Sequence, residues 1–195
     1  MAEIEDILSR IEKAIRETKL KYVIVGGIAV IHYGHIRTTQ DIDIIIEDNP
    51  SKISHFLKLL HSNEFDVMFD QFEMAYKEKT HFSIFDNNSF LRLDIKIADK
   101  NREYEVLNKA IKKHIFGKEM YFAPLEYVLI GKLIFIGRIS DIPDSELLEY
   151  QDIIDFLTLF HANKKKVDIP FLRHKAKELG VKPTLNKLFS LKFDD

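Results

Sequence analysis

The chain has 195 residues, 46% of them hydrophobic, with 7 Gly, 5 Pro, no Cys and a formal net charge of −2. That length holds one ordinary domain, or a small one with a helical appendage, and the composition supports a real core rather than long disordered tracts. Disulfide and thiolate chemistry are excluded. An acidic N-terminus without an apolar core, and a longest apolar run (Tyr127 to Ile136) too short for a bilayer's roughly 20 residues, predict a cytoplasmic protein without membrane contact.

In chain order, Ile4, Ile7, Leu8, Ile11 and Ile15 recur at helical spacing and predict an amphipathic opening helix. Leu20 to Val25 reads as a buried strand ending at Gly26-Gly27, and Ile28 to Tyr33 as a short helix closed by Gly34. A polar stretch, His35 to Gln40, leads into a strand from Asp41 to Ile46. Asp48-Asn49-Pro50-Ser51 predicts a turn and a helix start, with the helix running to about His61. Further strands are expected around Phe65 to Phe69 and His81 to Phe85, then a hairpin turn at Asp86-Asn87-Asn88-Ser89. Leu91 to Ile97 alternates strictly, with Arg92, Asp94 and Lys96 on its polar face.

From Asn101 the pattern turns helical, and after Pro124 it stays helical, with helices expected at about 124–138, 145–161, 169–179 and 183–190. The expected architecture is α+β: a mixed sheet flanked by helices over residues 1–115, then a helical region over 116–195. Charge is uneven. Residues 161–195 hold nine Lys and Arg against four Asp and Glu, and the first 160 hold twenty against twenty-seven. A basic tail on an acidic body suits RNA or another polyanion, and it equally suits a solvated lysine-rich helix.

The chemistry gathers at Asp41-Ile42-Asp43. Alternate side chains of a strand share a face, so both carboxylates point one way while Ile42 and Ile44 pack beneath. Two like charges there repel, and bound divalent cations would remove that repulsion. If the strand carrying Asp94 lies alongside, three carboxylates meet on one open face, enough to hold two metals for in-line displacement at phosphorus. Gly26-Gly27 stands where a strand gives way to a helix, so a phosphate can approach the backbone. The eight histidines show no metal-ligand spacing; His32 and His35 read as loop or surface residues. No Walker A or GxSxG sequence occurs.

In this order and spacing, Val25-Gly26-Gly27, Asp41-Ile42-Asp43 and Leu93-Asp94-Ile95 resemble the nucleotidyltransferase superfamily with the DNA-polymerase-β-like core. Arg37-Thr38-Thr39-Gln40-Asp41-Ile42-Asp43 is similar to the signature of its minimal and AbiEii-type members, several of them toxins of toxin–antitoxin pairs. Lys132-Leu133 and Asp152-Ile153-Ile154-Asp155 match motifs of their helical half. Gly27 departs from the serine common after the first glycine, though the AbiEii-like branch often has Gly-Gly.

The resemblance implies transfer of a nucleoside monophosphate from an NTP to an acceptor hydroxyl, with two Mg²⁺ (or Mn²⁺) held by Asp41, Asp43 and Asp94. It implies nucleotide contacts from Gly26, Gly27, Arg37, Thr38, Lys132 and Asp152, with Lys132 also easing departure of pyrophosphate. Acceptors within it are the 3′ end of a tRNA, a cognate partner protein, or a small molecule such as an aminoglycoside. By itself, Lys132 also reads as a lysine whose stem packs and whose ammonium reaches water. Arg37 is expected to pair with an acid or a phosphate, and Arg92 and Lys96 with the acids beside them or with substrate. The rival class is a transferase fold without turnover, serving as a protein partner or nucleotide sensor.

Overall fold

The computed structural model describes residues 2–191. The chain divides into two compact units, one of residues 1–29 and 38–124, the other of 30–37 and 125–195. Among the described residues no helix is long and apolar enough to cross a membrane.

The first unit is built on a seven-stranded mixed sheet. Its strands are β1 (Tyr22–Ile24), β2 (Asp41–Ile46), β3 (Phe65–Asp66), β4 (His81–Asp86), β5 (Arg92–Ile97), β6 (Ile111–Ile115) and β7 (Lys118–Phe122). They lie in the order β3-β4-β5-β2-β1-β7-β6. β2 runs parallel to β5 and β1 parallel to β7, and the other neighbours are antiparallel. The alternation in β2 is realised: Ile42, Ile44 and Ile46 are buried, while Asp41, Asp43 and Ile45 remain half-exposed.

Helices α1 (Ala2–Thr18) and α3 (Pro50–Ser62) pack on each other. α1 buries Ile7, Leu8, Ile11, Ala14 and Ile15, and α3 buries Ile53, Phe56, Leu57 and Leu60. Asn49 caps α3, its side chain accepting from the Lys52 amide at 3.2 Å with Pro50 in the first turn. α2 (Gly26–His32) starts directly after β1, and α5 (Asn101–Lys109) packs against β1 and β2.

Two elements of this unit depart from the sequence expectation. The strand expected at Phe65 to Phe69 is only the two-residue β3, and α4 (Phe69–Glu78) follows it. α4 buries no residue, and although Phe69, Phe72 and Tyr76 recur at helical spacing, aromatic residues suit a strand as well. Residues 111–122 form the β6–β7 hairpin rather than continuing a helix. Its two-residue turn, Phe116-Gly117, has positive φ at both positions (46° and 72°), as a type I′ turn requires. Phenylalanine is an uncommon occupant there, which hides the turn. The expected boundary between residues 115 and 116 falls inside this hairpin.

The second unit is helical: α6 (Leu125–Ile136), α7 (Asp144–Leu147), α8 (Gln151–Ala162), α9 (Ile169–Glu178) and α10 (Lys182–Ser190). α6 packs on α8, α9 and α10. Phe160 sits between Phe156 (6.2 Å, stacked) and Phe189 (4.6 Å, tilted), joining α8 to α10. The single helix expected over 145–161 is two, because Tyr150 is extended (ψ 118°) and starts α8 anew. The last four residues of the basic tail lie outside the described residues.

Candidate active site

Strand register places the acids. Across β2 and β5, Asp43 stands opposite Asp94 and Asp41 opposite Arg92; across β4 and β5, Ser83 stands opposite Asp94 and Phe85 opposite Arg92. Side chains in register share a face, so one row reads Ser83, Asp94, Asp43 and the next Phe85, Arg92, Asp41. Neighbouring strands lie about 4.8 Å apart, so Asp43 and Asp94 are immediate neighbours.

Each carboxylate has a particular neighbour. Asp94 accepts from the Ser83 hydroxyl at 2.6 Å and from Arg92 Nε at 3.1 Å. Arg92 Nε is also 2.9 Å from Asp41 Oδ1. Burial works against the guanidinium's charge, yet Asp94 and Asp41 together hold its pKa above the ordinary arginine value. Asp43 lies over Gly26: a Cβ built on that glycine would stand 1.8 Å from Asp43 Oδ2. The backbone fixes the same relation, with the Val25 amide donating to the Asp43 carbonyl at 2.9 Å and Gly26 at φ +58°.

The three acids are therefore brought to one face of adjacent strands, but their oxygens are directed toward Arg92, Ser83 and Gly26. Among the described residues no three acidic or histidine side chains converge closely enough to hold a metal ion. Lys96, the other cation on β5, is committed elsewhere, 2.9 Å from Asp99 and donating to the Lys79 carbonyl at 2.6 Å. Ser83 is the neighbour that sequence reasoning missed. Only the β4–β5 register identifies it, and the Asp86–Ser89 turn that sets this register was legible.

Thr38 is exposed in the loop before β2, while Thr39 shapes the strand entry, its hydroxyl donating to the Asp41 carbonyl at 3.2 Å. The remaining expected site residues belong to the second unit. Lys132 on α6 is buried, its Nζ 2.7 Å from Asp152 Oδ1 and 2.6 Å from Asp155 Oδ2. Asp155 is fully buried and is also met by Gln151 Nε2 (2.9 Å), His35 Nδ1 (3.0 Å) and Arg37 Nε (3.1 Å). The Asp-x-x-Asp spacing puts both acids on the face of α8 that grips Lys132. Its ammonium ends on two carboxylates rather than in water, and Arg37 pairs with an acid. His35 lies in the loop after α2, as expected, with 14% of its side chain exposed.

Residues 2–92, a little under half of the chain, match a family described as nucleotidyltransferase of unknown function (DUF6036). No curated protein matches the sequence. The structure of ANT(2'')-Ia in complex with adenylyl-2''-tobramycin has a similar fold, with TM-score 0.55 and 12% identity, covering 96% of this chain and 99% of that one. So does an antigenic nucleotidyltransferase-like protein from Paracoccidioides brasiliensis, with TM-score 0.55 and 17% identity, covering 100% and 95%. At these identities the likeness concerns the fold.

Proposed function

From the nucleotidyltransferase fold that this chain carries, we propose that it moves a nucleoside monophosphate from an NTP to an acceptor hydroxyl and releases pyrophosphate. The carrying observation is the register that sets Asp43 beside Asp94, with Asp41 on the same face, next to a glycine. The donor set fits divalent metal: the ligands are hard carboxylate oxygens, and a cation, the Arg92 guanidinium, already stands between two of them. Bound Mg²⁺ would neutralise charge on the reacting phosphate and lower the pKa of the attacking hydroxyl.

The chain's own residues supply the rest. Asp41, Asp43 and Asp94 would hold the cations. Asp94, oriented by the Ser83 hydroxyl, accepts the proton of the acceptor hydroxyl as its oxygen bonds to the α-phosphorus. The bond from that phosphorus to the bridging oxygen breaks, and pyrophosphate leaves. The amides at Gly26 and Gly27 receive phosphate oxygens. The nucleotide contacts implied for Lys132, Asp152 and Arg37 require opening of the pairs these residues now make, since each charge is already matched within the second unit. Toxin–antitoxin membership, and a tRNA 3′ end or partner protein as acceptor, rest on the sequence resemblance alone.

The experiment is incubation of the purified chain with each labelled NTP, Mg²⁺ and, separately, total tRNA and an aminoglycoside, following label and pyrophosphate. Asp43→Ala and Asp94→Ala are expected to lower transfer by about 100-fold or more. Retained transfer in either variant refutes the assignment. One observation favours the rival, a fold that binds without turnover: Arg92 already neutralises Asp41 and Asp94. That reading predicts nucleotide binding with no label transferred to any acceptor.

A further inference from the structure

Arg92 occupies the position that a metal site must vacate. Its Nε lies within 3.1 Å of carboxylates on two adjacent strands, and 41% of its side chain is exposed, against 17% for Asp94. A single exposed ion pair of this kind adds little to stability, but this guanidinium also offsets the repulsion among three neighbouring acids. It also claims lone pairs: the oxygens turned toward the guanidinium are ones a divalent cation would take. Lys96 cannot substitute, being held by Asp99 and the Lys79 carbonyl.

We propose that Arg92 is a resident counter-cation that keeps Asp41 and Asp94 from a divalent metal until the metal displaces it. The inference rests on the nucleotidyltransferase reading of the three acids and assigns Arg92 a positioning role within it. Metal binding is then an exchange. Two guanidinium–carboxylate pairs break, carboxylate–metal contacts form, and Arg92 is released to the open face of the sheet as a free cation beside the site. An anionic triphosphate gives the released guanidinium a new partner, so metal alone binds weakly and metal with nucleotide binds cooperatively. The arrangement also accounts for the directions of Asp41 and Asp94, both turned toward a planar donor at the edge of the site.

The test compares the full wild-type chain with Arg92→Gln and with Arg92→Met, which keeps the aliphatic stem on the sheet. Mn²⁺ affinity is read without nucleotide from the electron paramagnetic resonance of free Mn²⁺, and melting is followed in EDTA and in Mn²⁺. Both variants are expected to bind Mn²⁺ about tenfold more tightly, which corresponds to about 1.4 kcal/mol. In EDTA they melt below wild type, because three acids face one another without their counter-ion, and Mn²⁺ closes that gap. A residue that only braces the sheet leaves the same deficit in both conditions. Affinity equal to or weaker than wild type, or a deficit that Mn²⁺ leaves in place, overturns the proposal. If Asp94→Asn still abolishes Mn²⁺ binding in that case, the carboxylate site stands and only the role of Arg92 falls. If Asp94→Asn has no effect on Mn²⁺ binding, both fall.

Discussion

Gly26 meets two independent demands. Its φ of +58° belongs to the left-handed region, and the Asp43 carboxylate occupies the space in which any Cβ would project. The first demand alone costs a non-glycine residue about 1–2 kcal/mol. The second cannot be met by a rotamer change at position 26, since a Cβ has none, so Asp43 must move. Gly26→Ala is therefore expected to lose transfer while remaining folded, destabilised by more than the backbone strain alone, which is about 1–2 kcal/mol. Urea denaturation together with pyrophosphate release checks this, and an alanine variant with undiminished turnover would show that the position of Asp43 is not critical. The sequence singled out this glycine for the approach of a phosphate to its backbone; the structure adds the Asp43 carboxylate as a separate reason for a glycine here.

At the scale of elements, Arg10 fastens α1 to the rest of the first unit. Its guanidinium reaches Asp86 at the end of β4 (2.8 Å), the Asn63 carbonyl after α3 (3.1 Å) and Asp6 one turn back (2.8 Å), and lies 4.7 Å over the Phe65 ring. Only 1% of the Asp86 side chain is exposed. Burial raises its pKa, but the bonds from Arg10 and Ser89 outweigh this and hold it below the ordinary carboxylate value. Arg10→Met leaves a buried charge unpaired and is expected to cost about 3–5 kcal/mol near neutrality.

The pH dependence follows from the sign of the shift. A carboxylate with a lowered folded pKa contributes stability above the unfolded value, here 3.8, and loses it as pH falls through the folded one. The gap between wild type and Arg10→Met should thus narrow below about pH 4. Denaturation at pH 7 and pH 3 measures it, and a gap independent of pH would mean that Arg10 acts through packing on Phe65 instead.

For the whole molecule, the expected response is to metal and nucleotide together. A ligand that binds only the folded state stabilises it by mass action, about 2.7 kcal/mol at 100 times its dissociation constant. Mg²⁺ with an NTP should raise the melting temperature more than Mg²⁺ alone, because the triphosphate adds metal ligands and a partner for Arg92. NTP without metal should do little, since its charge meets three aspartates offset by a single arginine. A melting temperature unmoved across all these conditions at millimolar ligand would refute nucleotide binding of any kind, including the rival reading.

What the sequence determined by itself is whatever depends on neighbours a few residues apart. Strand parity put Asp41 and Asp43 on one face of β2 and Asp94 on the polar face of β5. Asn49-Pro50 located the start of α3, and Asp86 to Ser89 the turn between β4 and β5. The β6–β7 hairpin escaped because its turn uses Phe116, and α4 because its aromatic residues suit a strand as readily as a helix. Only the tertiary structure decided which distant segments meet. Asp43 and Asp94 are some fifty residues apart and become neighbours because β5 returns parallel to β2 at a fixed register. Likewise Arg92 pairs with Asp41 and Asp94 because the register of β2 and β5 sets them beside it, and buried Lys132 pairs with Asp152 and Asp155 because a cation taken out of water settles on whichever carboxylates the fold provides. That choice is a property of distances in space, which local periodicity does not encode.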